Sequence, residues 1–282
     1  MKSEKLIIFL ILLSTSFMQS QTILNAESLR VVMLKGKDSS WSGKANLNFG
    51  FVKNVTNNYN VSTKIAFGYN GGENLWMIIS NLNFNKSGNN EFQNSGVQHF
   101  RYNRQFNETI TFEAFLQGQY DAISAIDFRG LVGVGPRLDL TKKWVNEGGE
   151  IEKSKSRIFI GTLLMYEYEK STEIGLDVKR KDFRGSNYLS FTLFPSDRMV
   201  ITSTTYYQPR LDLLKDYRIS SDFNLNIALG SKEEAKEGKN KKESFLDKLS
   251  FNLNFSYNYD AFPVVSIPKT QYSLTNGLSF KF

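Results

Sequence analysis

The stretch from Gln271 to Phe282 constrains the fold more than any other. Tyr272, Leu274, Leu278, Phe280 and Phe282 share one parity, while Ser273, Thr275, Gly277, Ser279 and Lys281 share the other. A period of two describes a strand with one apolar and one polar face. Such a strand, ending on an aromatic residue, suits a membrane barrel with lipid on one side and lumen on the other.

The opposite end predicts export. Lys2 and Lys5 form a positive leader, Leu6 to Leu13 an apolar run of eight, and Ser14 to Ser20 a small, polar cleavage region. A bilayer-spanning helix needs roughly 20 apolar residues, so this run is a signal peptide over residues 1–20 and not an anchor. Met18 is an imperfect residue three before a cut after Ser20. The chain has no cysteine, which excludes a lipoprotein anchor, a disulfide framework and thiolate metal sites. Its single histidine leaves little for nitrogen-rich metal sites, and no cofactor or metal is expected. Residues 21–40 show no alternation and are predicted to be a periplasmic lead-in.

From Trp41 the alternation recurs. Leu47, Phe49 and Phe51 oppose Asn46, Asn48 and Gly50; Phe251, Phe255 and Tyr259 oppose Asn252, Asn254 and Asn258. Aromatics reach 14% of the chain, with 23 Phe and 13 Tyr, which suits lipid-facing girdles. No later run approaches a spanning helix, and only helices and closed sheets satisfy every backbone group in lipid. Strands are predicted around 41–51, 61–69, 76–82, 92–104, 110–119, 128–139, 158–169, 187–194, 198–208, 219–227, 251–259 and 272–282. The faces of 187–194 and 198–208 stay open. The prediction is an all-β, transmembrane, antiparallel up-and-down β-barrel of about twelve strands over residues 41–282, with both termini periplasmic. By parity the turns at Gly71-Gly72, Phe106-Asn107 and Pro195-Ser196 lie at that end. So do the long connections 141–157 and 230–247, although periplasmic turns are usually short. The mixed charges of Lys232 to Glu243 describe a solvated loop, and no nucleic-acid partner is expected.

Several segments carry a resemblance. They include Gly96-Val97-Gln98-His99-Phe100-Arg101-Tyr102-Asn103, Gly133-Val134-Gly135-Pro136-Arg137, Gly161-Thr162-Leu163-Leu164-Met165-Tyr166-Glu167-Tyr168-Glu169 and Ser203-Thr204-Thr205-Tyr206-Tyr207-Gln208-Pro209-Arg210. Together they resemble the family of salt-induced outer-membrane proteins, a domain-of-unknown-function family, over roughly residues 25 to 282. The resemblance implies an outer-membrane barrel and brings no activity or functional residue. Separately, Thr275-x-Gly277-x-x-Phe280-x-Phe282 resembles the C-terminal signal by which outer-membrane barrels are recognised for assembly. The partners implied are outer-membrane lipids and the barrel-assembly machinery.

Few residues offer chemistry. His99 is the one candidate acid–base imidazole, but a hydrolytic triad needs a hydroxyl and an acid beside it. Gly133-x-Gly135 is followed by Pro136 and a continuing strand, where a dinucleotide loop needs a helix; inward glycines instead make room for bulky lumen side chains. The remaining set is the inward charge of Arg101, Glu113, Arg129, Arg137, Asp139, Glu167 and Glu169. These residues form either a paired network filling the lumen or a charged constriction selecting solutes. Twelve strands lie between the filled eight-strand barrel and the open channels of roughly 16 strands, so size does not decide. The function classes that follow are an envelope structural role, limited passage of small solutes or ions, a lipase- or protease-type enzyme using His99, and binding or adhesion through extracellular loops such as 170–186. An enzyme is not expected.

Overall fold

A computed structural model of the chain describes residues 24–26, 40–141, 143–145, 151–154, 156–173, 176–230, 249–263 and 267–280. The expected signal peptide, most of the lead-in, and Lys281 and Phe282 lie outside these residues. The protein is all-β. Its first six strands are β1 (Ser40–Lys53), β2 (Asn57–Asn70), β3 (Asn74–Ser87), β4 (Asn90–Gln105), β5 (Ile110–Asp121) and β6 (Ile126–Asp139). A separate hairpin, β7 (Lys143–Val145) and β8 (Ile151–Lys153), interrupts the connection onward. There follow β9 (Arg157–Glu173), β10 (Leu176–Ser196), β11 (Met199–Pro209), β12 (Tyr217–Ala228), β13 (Leu249–Asp260) and β14 (Thr270–Phe280).

Apart from that hairpin, the strands make one twelve-stranded antiparallel meander in chain order, with β6 paired to β9. The alternation counted along the sequence is therefore the strand count of the sheet. In a meander alternate connections share an end, so the long connections 140–156 and 229–248 stand beside the turn at Gly71-Gly72, as parity predicts. One expectation is corrected. Residues 170–186 are not a loop: β9 and β10 run through them in unbroken register from Leu176↔Glu173 to Thr192↔Arg157. The charge run Lys179 to Asp182 concealed this. Backbone pairing does not depend on side-chain polarity, and Lys170 Nζ meets Asp177 Oδ2 at 3.1 Å across the two strands.

The sheet curls so that one face encloses a lumen. Tyr188 on β10 reaches Glu113 on β5, and Arg218 on β12 reaches Glu167 on β9. The two edges of the sheet are β1 and β14, and no ladder joins them among the described residues. The faces are inverted relative to a water-soluble protein. Leu47 and Phe49 are 70% and 77% exposed on the outer face, whereas Glu113 and Arg129 are 0% and 1% exposed inside. Trp41 stacks on Phe67, and Trp76 packs on Tyr102 with ring centroids 4.2 Å apart, so aromatic ladders extend along the outside of β1 to β4.

Candidate functional site

Strand parity aims one side chain in two into the lumen, and on β4, β5, β6 and β9 that set includes buried charges. On β5, Glu113 is fully buried. Its Oε2 accepts the Tyr188 hydroxyl at 2.7 Å. Arg101 Nη1 lies 3.8 Å and Arg137 Nη1 3.9 Å from the same carboxylate. Arg137 also stacks its guanidinium 3.8 Å over the Phe159 ring, an arrangement suited to a planar cation.

A second cluster centres on Glu167. Arg129 Nε and Arg218 Nη1 both donate to its Oε1 at 2.6 Å, and Arg184 Nε lies 2.7 Å from Oε2. Arg218 extends the network to Glu169 at 3.3 Å and to Asp260 at 2.8 Å. Arg184 extends it to Asp216 at 2.9 Å. Arg101, Arg129, Arg137, Arg184 and Arg218 thus face Glu113, Glu167, Glu169, Asp216 and Asp260, all of them buried. Removing so many charges from water costs several kcal/mol per ion, and the arrangement persists because nearly every charge has an opposite neighbour.

Six of the seven predicted lumen charges therefore come together. The exception is Asp139, which is only half-buried and caps the strand end by accepting the Thr141 amide at 2.9 Å. Arg184, Arg218, Asp216 and Asp260 were missing from the sequence-derived set. Parity supplies a signal for Arg218, since it shares a face with Asp222 and Asn224; Arg184 falls in the stretch 170–186 expected to be a loop. Outside the strands, Arg210 donates from Nε and Nη2 to the Asp212 carboxylate at 2.6 and 2.8 Å. That hydrogen bonding holds Asp212 below the usual carboxylate range and raises Arg210.

Beside the charges lies an aromatic and aliphatic layer of Phe115, Leu131, Leu163, Met165, Tyr188 and Tyr206. Inward glycines make room for it. A Cβ at Gly161 would collide with the Tyr188 ring, and one at Gly133 with Phe115. His99 belongs to this layer. Its Nδ1 donates to Gln117 Oε1 at 2.9 Å, its ring stacks on Phe115, and Nε2 is buried without a hydrogen-bond partner. No serine or carboxylate hydrogen-bonds it among the described residues.

These layers divide the lumen. On one side is a cavity of about 390 Å³ lined by Asn, Ser and Lys side chains such as Asn46, Lys64, Asn83 and Ser256. On the other, beside Gly72, Glu108 and Asp139, is a cavity of about 180 Å³. Between them, among His99, Arg101, Phe115 and Arg129, lies a small pocket with only about 20 Å³ of room for water. A single water needs about 10–15 Å³, so that gap holds one water and no hydrated ion.

On the closing strand, Tyr272 and Leu278 are exposed on the outer face, Thr275 lies opposite Asn254 and Gly277 opposite Asn252. Phe280 pairs with Leu249 through the backbone, and Phe282 lies outside the described residues. Among the described residues no cluster of acidic and histidine side chains is arranged to hold a metal ion.

The family described as "Protein of unknown function, DUF481" matches residues 47–282. No curated protein matches the chain. A solved structure of the NanC porin is similar at 10% identity, covering 86% of this chain and 99% of that one, with a TM-score of 0.44.

Proposed function

Because the chain belongs to the DUF481 family of proteins of unknown function, its task has to be read from its own lumen, and we propose that it is an outer-membrane β-barrel held shut by buried ion pairs, with a structural role in the envelope. The observation that carries this reading is the inversion of the two faces. Charged side chains are buried inside, while Leu47, Phe49, Ile78, Leu116, Leu164 and Leu278 are exposed on the outside. Water-soluble monomers rarely show contiguous apolar patches beyond a few hundred Å². Lipid is the solvent that accepts this surface, and it requires every backbone group to be paired. In lipid that requirement extends to the two edge strands, β1 and β14, which would have to pair as well.

Export follows the signal over residues 1–20, and insertion follows recognition of the closing strand by the barrel-assembly machinery. Lipids are the outer-face partners; nucleic acid and cofactors have no part. An enzyme of the lipase or protease type would need a hydroxyl and an acid beside His99, whose hydrogen-bond partner among the described residues is Gln117. Production in response to salt, the finer expectation from the resemblance, is tested by comparing protein levels before and after an osmotic upshift. A second reading, limited passage of small solutes or ions, is favoured by the cavities on either side of the barrier. Passage then requires the ion pairs to part.

The reading of the outer face is tested with brominated lipids. Trp41 and Trp76 are exposed on that face, so their fluorescence should be strongly quenched by bromine in the acyl chains. Unquenched emission from both, with the protein in the soluble fraction, would overturn it.

A further inference from the structure

Inward positions of most strands are polar, but β3 breaks the rule. Leu75, Met77 and Ile79 face the lumen while Trp76 and Ile78 face outward, so the first half of this strand is apolar on both sides. Strands that are apolar on both faces are buried on both faces. With Ala66 of β2, those three residues form an apolar notch in the lumen wall, a cluster separate from the layer around Phe115.

The notch is filled from within the same chain. Ala26 is fully buried against Ala66, Leu75, Met77 and Ile79, and Leu24 packs on the same cluster. Between them Asn25 hydrogen-bonds the Asp222 side chain on β12. The location gives these contacts their meaning. The seam of the sheet lies between β1 and β14, and β2–β3 and β12 stand on its two sides. The segment therefore joins two halves of the wall that share no ladder at their edges among the described residues. Under a signal cut after Ser20, only three residues would precede Leu24.

We propose that Leu24-Asn25-Ala26 is an internal strap, that the notch of Ala66, Leu75, Met77 and Ile79 is its docking site, and that it ties the two sides of the seam together from inside the lumen. This rests on the barrel reading above, and it is a separate claim from the closure of the lumen. The notch is matched to a small residue: Ala26 is fully buried, and the carboxamide beside it reaches the Asp222 carboxylate of the opposite wall. Release of the strap would expose the notch to water and open the larger cavity towards the seam.

The absence of cysteine makes a single introduced thiol unique. The experiment compares maleimide labelling of A26C with V55C, whose site is 95% exposed, in the full mature chain folded in detergent. Folding is checked by the gel-mobility shift on boiling. Labelling of A26C should be slower by about tenfold or more, as for a group that reacts only through local opening. Adding Asp222→Ala, which leaves the apolar notch intact, should speed it measurably; adding Ile79→Asp should bring it close to V55C. If Ile79→Asp does not fold, the Asp222→Ala arm carries the test. Labelling of A26C at the V55C rate in the folded barrel, or no change with Asp222→Ala, would overturn the strap whatever the conductance of the barrel.

Discussion

The Tyr188 hydroxyl on β10 donates to Glu113 Oε2 on β5 at 2.7 Å, across a lumen whose intervening wall is β6 and β9. The bond depends on Gly161, because a Cβ there would occupy the position of the Tyr188 ring. Gly161→Val should displace Tyr188 and leave a buried carboxylate short of a donor, a loss of about 1–3 kcal/mol. Gly277→Ala is the control, since nothing lies within 4 Å of its added methyl. Urea unfolding of both variants in micelles checks the pair: a clear drop in midpoint for the first and almost none for the second.

Glu167 is the keystone of the second cluster, with Arg129, Arg184 and Arg218 all against its carboxylate. Glu167→Gln keeps the shape and removes the charge, leaving three buried guanidiniums under-matched. Breaking a buried pair costs about 3–5 kcal/mol. Asp139→Asn should cost under about 1 kcal/mol, because that carboxylate caps a strand end at the wet rim. Equal unfolding midpoints for the two variants would mean that the cluster does not hold the barrel together.

The closing strand yields a prediction about assembly. Phe280 and Phe282 share the parity of Tyr272 and Leu278, which are exposed on the outer face. Each ring should gain roughly 1.5–3 kcal/mol on burial in lipid. Replacing both with Ser should sharply lower the outer-membrane level at matched expression, while Lys281→Gln, on the opposite parity, should be mild. Normal levels of the double variant would remove the assembly role assigned to this stretch.

The features legible in the sequence were those with a period of two. The outward Phe49 and Phe51 and the inward Arg129 and Arg137 declare their faces by spacing alone, so the strands and most of the first cluster could be located. Other features depend on partners far away in the chain. Arg184 lies in a charged run whose ladder to β9 is unmarked by any apolar face. Asp216 sits in a connection, and Asp260 at the last position of β13; their partners become evident only when the sheet curls. Leu24, Asn25 and Ala26 show no alternation, because they are held by the wall and are not part of it. The inward apolar run Leu75, Met77 and Ile79 of β3 is the trace they leave in the sequence.

The central claim is that the lumen is shut, and single-channel recording in planar bilayers tests it most directly. With the buried ion pairs of Glu167 across the lumen and only about 20 Å³ of room for water in the pocket beside Arg129, the unmodified protein should hold the current at or near baseline. Arg129→Ala should open a measurable leak or destabilise the barrel, because Glu167 and Glu169 lose a buried partner. A large, stable conductance in the unmodified protein would contradict the account and make the ion pairs the lining of a pore.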